Sequence, residues 1–515
     1  MLFARIGKVL AGAQNAGFCS HAVTPNAGYL PRRTIENLAV TQDQNTDSPP
    51  PLPPAAGFLR RQGWPLGGLL LLLLLGAGYQ VAEEVQTSQF QARHLASYAA
   101  GLDYHVVNGA SDAVRFPAHG PFDQRMGYAE LPRIIERLGM RGYTLAQQAR
   151  FSDALMEYTG RGLFAPYHEK TRAGLDVDDC RGQTLYRFRY PYRGYDDFAA
   201  VPPRVAQALM FIENRDLLDE SRPMMNPAVD WVRFTRAVLG RIGHMVSDDF
   251  DAPGGSTLAT QIEKFRHSPD GVTHNAREKL RQMMSASVRA YQDGEQTLPA
   301  RRRLLLDYLN TVPLSAAPGH GEVNGLGDGL WVWFAADFSE TNALLASADA
   351  SGPQLAAQGR ALHQVVALMI AHRRPSFYLS GGGRQRLAQL SESYLRLLGE
   401  NGVISPLLRD AALSEPLTFR DMAANPALLP ADAGKGATAI RNRLAGMFDA
   451  SLYELDRFDA DVATTLNGAL QKDVSEFLGR LSDPEFARKQ GLLGDRMLVP
   501  AKLGAVRYSF NLVES

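Results

Sequence analysis

The sequence is poor in cysteine and has no excess of either charge. Its 515 residues include only Cys19 and Cys180, too few for a disulfide framework. Lys and Arg together number 54, as do Asp and Glu, so no global field favours a nucleic-acid partner. The chain also has no Gly-x-Gly-x-x-Gly that opens a helix, no P-loop and no His/Cys cluster at zinc spacing. A metal site built from its own side chains is therefore not predicted.

The longest apolar run is the segment Trp64–Ala82, which carries no charge and contains seven consecutive leucines. At about 1.5 Å per residue it just crosses a hydrocarbon core of ~30 Å. Arg60 and Arg61 precede it and two glutamates follow, so the positive-inside rule leaves the first residues in the cytoplasm. The alternative is a signal peptide, which would lie far inside the chain and lack an A-x-A cleavage site. We predict a retained transmembrane anchor over 57–84, with the remainder of the chain exported.

Composition and periodicity divide the rest of the chain. The proline-dense segment Ser48–Pro54 is typical of a solvated linker, so residues 1–56 are predicted to be a disordered cytoplasmic segment. Residues 86–195 mix turn signals with two helical patterns, Leu131–Leu138 and Leu145–Tyr158, and a strand that starts at Leu185. They are predicted to form a small α+β module.

Helical periodicity dominates residues 196–425. Apolar stripes at i, i+3 and i+4 predict helices over Val205–Glu213, Arg277–Tyr291, Arg301–Asn310, 355–372 and 384–399. The expected fold is thus mainly α, with the small α+β module next to the membrane and a single transmembrane helix. Residues 435–515 are expected to be a linker-like remnant. No Ser-x-x-Lys follows the anchor, so transpeptidase chemistry is not expected.

Five short blocks stand in a fixed order within the helical region. They are Phe211–Asp216 (FIENRD), Gly254–Gln261 (GGSTLATQ), Arg277–Met283 (REKLRQM), Leu305–Asn310 (LLDYLN) and Gly325–Phe334 (GLGDGLWVWF). In order and spacing they resemble the family 51 glycosyltransferase domain, the peptidoglycan transglycosylase domain of class A penicillin-binding proteins. The likeness continues through Arg373-Arg-Pro-Ser-Phe-Tyr and implies a lysozyme-like domain.

The second block has a physical interpretation of its own. Gly254 and Gly255 let backbone N–H groups approach an anion, and the pair Ser256-Thr257 caps a helix whose N-terminus favours phosphate. Lys264 adds a positive charge one or two turns later. This combination suits a diphosphate leaving group, although a simple capped helix after a turn gives the same local pattern.

The resemblance assigns roles to further residues. It implies that Glu213 is the general base that removes a proton from the acceptor sugar hydroxyl, whereas an isolated carboxylate at a helix end is more simply a solvated charge. Substrate contacts are expected from the residues of the second block and from other matched positions: Gln261, Lys264, Arg277, Lys279, Arg281 and Asn310.

Some positions depart from the family pattern. Asn214 stands where the family usually has Asp, and Gln282 stands where it has its second catalytic Glu. An amide can neither supply charge nor take a proton. Glu278 lies one helical turn earlier, on the same face, and is the candidate that compensates. The other route stabilises the leaving group through a metal-bound diphosphate with Lys264, Lys279 and Arg281.

The expected function is polymerisation of lipid-linked disaccharide-peptide, a lipid II-like substrate, into glycan strands with release of undecaprenyl diphosphate. No cofactor is required, and Mg²⁺ or Mn²⁺ with the diphosphate stays open. Membrane lipid and other wall-synthesis proteins are the expected partners. A degenerate domain that binds the lipid-linked sugar without turnover, and a transferase for another lipid-linked polymer, are the alternatives. The aromatic group Trp331, Trp333 and Phe334 is expected in the core or, alternatively, at the membrane interface.

Overall fold

The computed structural model describes residues 5–7, 59–231, 256–428, 434–494 and 497–508, and for 5–7, 59–68 and 70 it describes the backbone only. Most of the predicted disordered segment 1–56 lies outside these residues. Gly254 and Gly255, two predicted substrate-binding residues, also lie outside them.

The described residues are mainly helical, as predicted. In chain order the helices up to the first site block are α1 Leu59–Thr87, α2 Gln89–Ala100, α3 Pro121–Arg125, α4 Leu131–Gly139, α5 Asp153–Gly160 and α6 Pro203–Glu213. The next are α7 Leu258–His267, α8 Ala276–Ala290, α9 Leu298–Thr311, α10 Gly325–Phe334, α11 Phe338–Ala346, α12 Gly352–Ala371, α13 Arg384–Glu400 and α14 Pro406–Ser414. The last are α15 Lys435–Phe448, α16 Leu452–Leu455, α17 Gly468–Arg480 and α18 Pro484–Lys489.

Within the described residues, three small sheets accompany the helices. The strands are β1 Arg5–Gly7, β2 Tyr104–Asn108, β3 Thr144–Phe151, β4 Leu175–Asp178, β5 Thr184–Arg187, β6 Pro313–Ala317, β7 Gly321–Asn324 and β8 Ala460–Ala463. Their orders are β1-β3-β2, β5-β4-β8 and β6-β7, and every pairing is antiparallel except that of β4 with β8. Strand β8 therefore joins the C-terminal segment to the small module that precedes the helical domain.

Helix α12 is the centre of the largest core. Its second half, Ala361–Ala371, is buried on all sides because it is almost entirely apolar. Helices α6, α10, α13 and α14 pack around it. Trp333 and Phe334 of α10 belong to this core, and the Trp333 indole donates to the carbonyl of Leu314 at 3.0 Å. The core interpretation of these two aromatic residues therefore holds.

Most helix predictions are confirmed within a few residues. The stripes predicted at Val205–Glu213, Arg277–Tyr291 and Arg301–Asn310 correspond to α6, α8 and α9. Those at 355–372 and 384–399 correspond to α12 and α13, the pattern at Leu131–Leu138 is α4, and the strand expected from Leu185 is β5.

The helix predicted over Leu145–Tyr158 is wrong in its first half. Residues 144–151 form β3, the middle strand of its sheet, and Ala149 and Phe151 are buried. The helix begins only after Ser152, whose side chain accepts from the backbone N–H of Leu155. Sheet pairing on both sides outweighs the helical propensity of the segment.

Helix α1 covers the predicted span Trp64–Ala82, and the side chains of 64–68 lie outside the described part. Of the residues that the structure describes, no helix is both long enough and apolar enough to cross a membrane. Strand β1 comes from the segment predicted to be disordered and cytoplasmic, yet its backbone lies beside β3 of the predicted exported module.

Candidate active site

The candidate site begins with Glu213, the last residue of α6. One face of this helix packs into the core through Val205, Ala208 and Leu209, which carries the helix end inward. Asn214 is extended at φ −158° and ends the helix. The carboxylate is buried there, at 8% exposure, so its oxygens need partners from the protein or from a ligand.

Polar groups from two other elements approach the Glu213 carboxylate. The Gln261 amide of α7 donates to Oε2 at 3.0 Å. On the other side, Arg373 Nη2 lies 3.4 Å from Oε1, and His372 Nε2 lies 3.8 Å from the same oxygen. The Tyr308 ring of α9 lies edge-on to His372, with centroids 5.6 Å apart. Gln261 thus orients the Glu213 carboxylate, and the His372 imidazole lies close to its other oxygen.

Helix α7 begins as the Ser-Thr pair predicts. Thr257 is its N-cap, accepting from the backbone N–H of Thr260, and Thr260 Oγ1 accepts in return from the backbone N–H of Thr257 at 3.0 Å. This reciprocal pair is a capping box with a threonine in place of the usual Glu or Gln. The cap fixes the direction of α7, so Gln261 and Lys264, one turn apart, project on one face.

Lys264 lies near this carboxylate, and Lys279 lies near Lys264. Burial lowers the pKa of Lys264, and the charge of Glu213 counteracts part of that effect. Burial, together with the charge of Lys264, lowers the pKa of Lys279 to about 8. Lys279 Nζ donates to Ser256 Oγ at 2.7 Å and lies 3.4 Å from Thr260 Oγ1.

The lysine pair has the chemistry of an anion site. Within the described ranges, neither Lys264 nor Lys279 forms a salt bridge with a carboxylate. Both ammonium groups are partly desolvated and the charge of Lys264 lowers the pKa of Lys279, so an anion placed between them would stabilise both. Lys279 reaches Ser256, just before α7, where a phosphate would also gain the dipole and N–H groups of the helix N-terminus, while Lys264 lies in the last turn of the same helix.

The predicted pair Glu278 and Gln282 is buried on one face of α8. Ser268 Oγ donates to Glu278 Oε1 at 2.6 Å, and the Gln282 amide donates to the same hydroxyl at 2.9 Å. Gln282 also exchanges hydrogen bonds with Thr273, at 3.0 and 3.1 Å, and Arg281 pairs with Glu278 Oε2 at 3.0 Å. Among the described contacts, none joins this group to Glu213, so a compensating role of Glu278 stays a prediction.

The remaining predicted residues are dispersed. Arg277 is exposed on the first turn of α8. Asn310 is buried, and its amide is bound to Tyr195, donating to the backbone oxygen at 2.8 Å and accepting from the N–H at 2.9 Å. In this arrangement Asn310 holds the segment before α6 against α9, and its predicted contact with substrate would require these bonds to break.

Sequence reasoning gave no role to His372, Arg373 or Tyr308. Tyr308 belongs to the LLDYLN block and Arg373 begins the later segment that carries the family resemblance, while His372 directly precedes that segment. The available signal was a run of basic residues directly after the apolar run of α12. Nothing in the local pattern pointed to Glu213, which lies about 160 residues earlier in the chain.

A cavity of about 710 Å³ lies beside the site, where the end of α1 meets the segment that follows α6. Its wall includes Asn214 and Thr257, the neighbours of the candidate base and of the α7 N-terminus. Gln86 and Ser88 line the opposite side, at the junction of α1 and α2. A ligand in this cavity would lie between the candidate base and the first helices of the chain.

The structure also bears on metal binding. Within the described ranges, no group of three or more His, Cys, Asp or Glu side chains is arranged to hold a metal ion.

Comparison with known proteins finds one family model that matches part of the chain. Residues 181–387 match the family model described as Transglycosylase, a region that begins just before β5 and ends within α13. It contains all five blocks and the candidate base, lysine pair and basic segment described above. A search among curated proteins gave no match. The predicted resemblance to the family 51 glycosyltransferase domain is confirmed by the family match.

Proposed function

We propose, from the premise that residues 181–387 belong to the transglycosylase family, that the chain is a peptidoglycan glycosyltransferase. It polymerises lipid-linked disaccharide-peptide into glycan strands and releases undecaprenyl diphosphate. The observation that carries the proposal is the buried, oriented Glu213 carboxylate with Lys264 near it and Lys279 near Lys264, two lysines that form no salt bridge with a carboxylate among the described residues. This combination supplies a base for the acceptor and a counter-charge for a diphosphate.

Glu213 acts on the acceptor sugar. Its carboxylate takes the proton from the attacking hydroxyl as that oxygen bonds to the anomeric carbon of the donor. Gln261 holds Oε2, so Oε1 is the oxygen that faces the imidazole and guanidinium groups. The donor is attached through diphosphate, which departs with the electron pair of the broken C–O bond.

The lysine pair stabilises that departure. Charge grows on the bridging diphosphate oxygen in the transition state, and preorganised cations in a partly dry site act strongly on such charge. Lys264 and Lys279 are already partly desolvated, so little further water has to leave these ammonium groups when the diphosphate binds. We propose that no cofactor is needed, and that Mg²⁺ or Mn²⁺, where present, enters with the diphosphate rather than on protein ligands.

The substrate is a membrane lipid, and the chain offers a matching surface. Leu71–Leu75 of α1 are more than half exposed, a run of apolar side chains that the rest of the described protein does not cover. Burying a leucine run in lipid is favourable by ~0.3–0.6 kcal/mol per residue at the centre of a span. We propose that α1 anchors the domain at the inner membrane, with the N-terminus cytoplasmic and the catalytic domain periplasmic.

One observation favours a second candidate, a domain that binds the lipid-linked sugar without turnover. Gln282 is completely buried and its amide is fully used in hydrogen bonds, so this position is built around a neutral group. A chain that has replaced its second carboxylate in this way could retain the ligand site and lose the reaction.

The decisive experiment is polymerisation of labelled lipid-linked disaccharide by the full chain in detergent. Glu213→Gln keeps the shape of the base and removes its basicity, and Glu476→Gln, on the exposed face of α17, is the matched control. We expect wild type and the control to make glycan, and Glu213→Gln to lose activity by about 10²–10⁴-fold, the usual contribution of a positioned acid or base. An inactive wild type that gains activity as Gln282→Glu would support the binder instead.

A further inference from the structure

The surroundings of the Glu213 carboxylate contain a second group able to hold a proton. His372 follows the end of α12, and its side chain is only 6% exposed. Its Nδ1 lies 2.6 Å from the Met369 carbonyl, an oxygen that can only accept. Nδ1 must therefore carry the hydrogen. In the neutral ring, Nε2 then has a lone pair and no hydrogen.

That lone pair faces the candidate base. Nε2 lies 3.8 Å from Glu213 Oε1, the carboxylate oxygen that Gln261 does not hold. A movement of less than about 1 Å brings the two atoms into hydrogen-bond range, ~2.7–3.2 Å. Such contacts commonly tighten when substrate binds.

We propose that His372 is the proton-accepting partner of Glu213 and receives at Nε2 the proton that Glu213 removes from the acceptor hydroxyl. The inference rests on the proposed function and adds His372 as a partner of its catalytic base, Glu213. Since His372 acts through Glu213, it is a positioning and relay residue, and the substrate itself contacts Glu213.

The step balances. The acceptor O–H bond breaks, its oxygen forms the new bond to the anomeric carbon, and the carbon–diphosphate bond breaks with its electron pair on the diphosphate. The proton moves from the hydroxyl to Glu213 Oε1 and then to His372 Nε2, which leaves a carboxylate and an imidazolium. The imidazolium releases the proton to water before the next addition, and Glu213 is again a base.

The electrostatics around His372 suit this exchange. Burial lowers the pKa of His372, so the ring is neutral at neutral pH, and the charge of Glu213 acts in the opposite direction. The other charged groups that face it are Arg373 beside it and Lys264 of α7, both of which disfavour the imidazolium. Tyr308 of α9 stays neutral because burial raises its pKa well above 10. The Glu213 carboxylate thus favours the imidazolium, whereas burial and the two cations favour its return to the neutral ring.

Two substitutions separate a relay from a purely structural role. His372→Asn keeps a donor for the Met369 carbonyl and deletes Nε2, while His372→Gln keeps a hydrogen-bond acceptor near Nε2 that cannot take a proton. His363→Gln is the matched control, because His363 is buried in the same helix and contacts Ser391 and the Glu415 backbone.

We expect both His372 variants to lose about a hundredfold in kcat, the lower end of the ~10²–10⁴ range for proton transfer, with KM changed less than about twofold. The acid limb of the wild-type pH profile should also change shape in both. Full activity and an unchanged profile in His372→Gln would overturn the relay, because a hydrogen-bond acceptor alone would then suffice. An inactive wild type would instead count against the proposed function.

A second measurement tests the pair without turnover. Nitrogen-detected NMR of histidine-labelled protein, with the His372 signal assigned by its loss in His372→Asn, reports the tautomer and pKa directly. We expect an Nδ1–H ring at neutral pH and a further lowered pKa in Glu213→Gln, since the carboxylate that favours the imidazolium is gone. An Nε2–H tautomer, or a pKa that does not respond to Glu213→Gln, would overturn the inference whether or not the chain is active.

Discussion

The amide of Gln282 and the carboxylate of Glu278 meet at one hydroxyl, that of Ser268, which accepts from the first and donates to the second. Because Arg281 occupies the other oxygen of Glu278, the negative charge is held one turn before the position where the family resemblance expects a carboxylate. The network has one negative charge, which Arg281 balances, and complementary donors and acceptors. A second carboxylate at 282 would disturb both features.

Gln282→Glu should therefore destabilise the protein in a pH-dependent manner. The new side chain cannot donate to Ser268 and Thr273, and such a loss costs ~1–3 kcal/mol per unsatisfied buried group. Burial and the nearby Glu278 should raise the folded-state pKa of the new carboxyl above its unfolded value of ~4.3. Its stabilising contribution is then retained in acid and lost as pH rises, so the deficit in unfolding free energy should be larger at pH 8 than at pH 5.

Urea unfolding at the two pH values measures this difference. Gln389→Glu is the control, because Gln389 is exposed on α13 and a charge there is hydrated. A Gln282→Glu variant as stable as wild type at pH 8 would contradict the hydrogen-bond network. It would show that position 282 accepts a carboxylate.

The Lys279 ammonium should contribute to substrate binding and lower the stability of the folded chain. Its pKa is lowered to about 8, so the ammonium is less favourable in the folded chain than in the unfolded one, where its pKa is about 10.5. That penalty is complete below pH 8 and disappears as pH rises through 10.5. Lys279→Met should thus raise the unfolding midpoint at pH 7, leave it unchanged near pH 11, and weaken substrate binding.

The same residue should determine an alkaline limb of activity. Loss of the Lys279 charge near pH 8 removes half of the counter-charge for the diphosphate, so kcat/KM should fall there. In Lys279→Arg the charge persists to higher pH and the fall should move upward. Lys472→Met, on an exposed turn of α17, is the control for both measurements. An alkaline limb unaltered in Lys279→Arg would mean that another group titrates.

The local sequence pattern predicted the positions of the helices that form the site, but not which helices pack against each other. The apolar stripe of α6 and the Ser-Thr cap of α7 are properties of a few consecutive residues, so both helices and the charge of Lys264 could be predicted from them, whereas the roles of Glu213 and Gln261 came from the family resemblance. Periodicity reveals which face of a helix is buried but not which helix lies opposite. The contact of Glu213 with His372 and Arg373 depends on how α6 packs against α12, and it had no local signal.

The sheets illustrate the same limit. Strand β4 pairs in parallel with β8, about 285 residues later, and so unites two segments that composition separates into different domains. The short alternation in β3 resembles a helical pattern until β2 is known to lie beside it. Pairing energy between distant strands is not encoded in either strand alone.

A buried ionic cluster joins the small module to the helix of the site, and it should make stability fall in alkali. His267, at the end of α7, lies 2.9 Å from both Asp123 and Glu169. Although burial opposes it, these two carboxylates raise the pKa of His267 to about 10. A folded pKa above the unfolded value of ~6.5 gives stability that is complete below pH 6.5 and lost as pH rises through 10.

His267→Gln should lower the unfolding free energy by about 3–5 kcal/mol at pH 6.5, because it leaves the buried Asp123 carboxylate without its cation, whereas Glu169 keeps Arg266. Its stability should then change less than that of wild type between pH 6.5 and 10. His274→Gln is the control, since His274 is exposed and lies 3.9 Å from Asp270. Equal slopes in wild type and His267→Gln would show that the imidazole is neutral in the folded protein.

The two native cysteines provide a test of topology without any added residue. Cys19 precedes the leucine run of α1 and Cys180 follows it, so a single crossing puts them on opposite sides of the membrane. With a maleimide that does not cross membranes, applied to cells with a permeable outer membrane, we expect Cys180 to react and Cys19 to react only after lysis. Cys19→Ser and Cys180→Ser assign each signal. Reaction of Cys19 in unlysed cells would instead agree with the pairing of β1 beside β3, which requires both strands on one side. In that outcome α1 lies on the membrane surface and does not cross it, and the arginines before it face the same compartment as the catalytic domain.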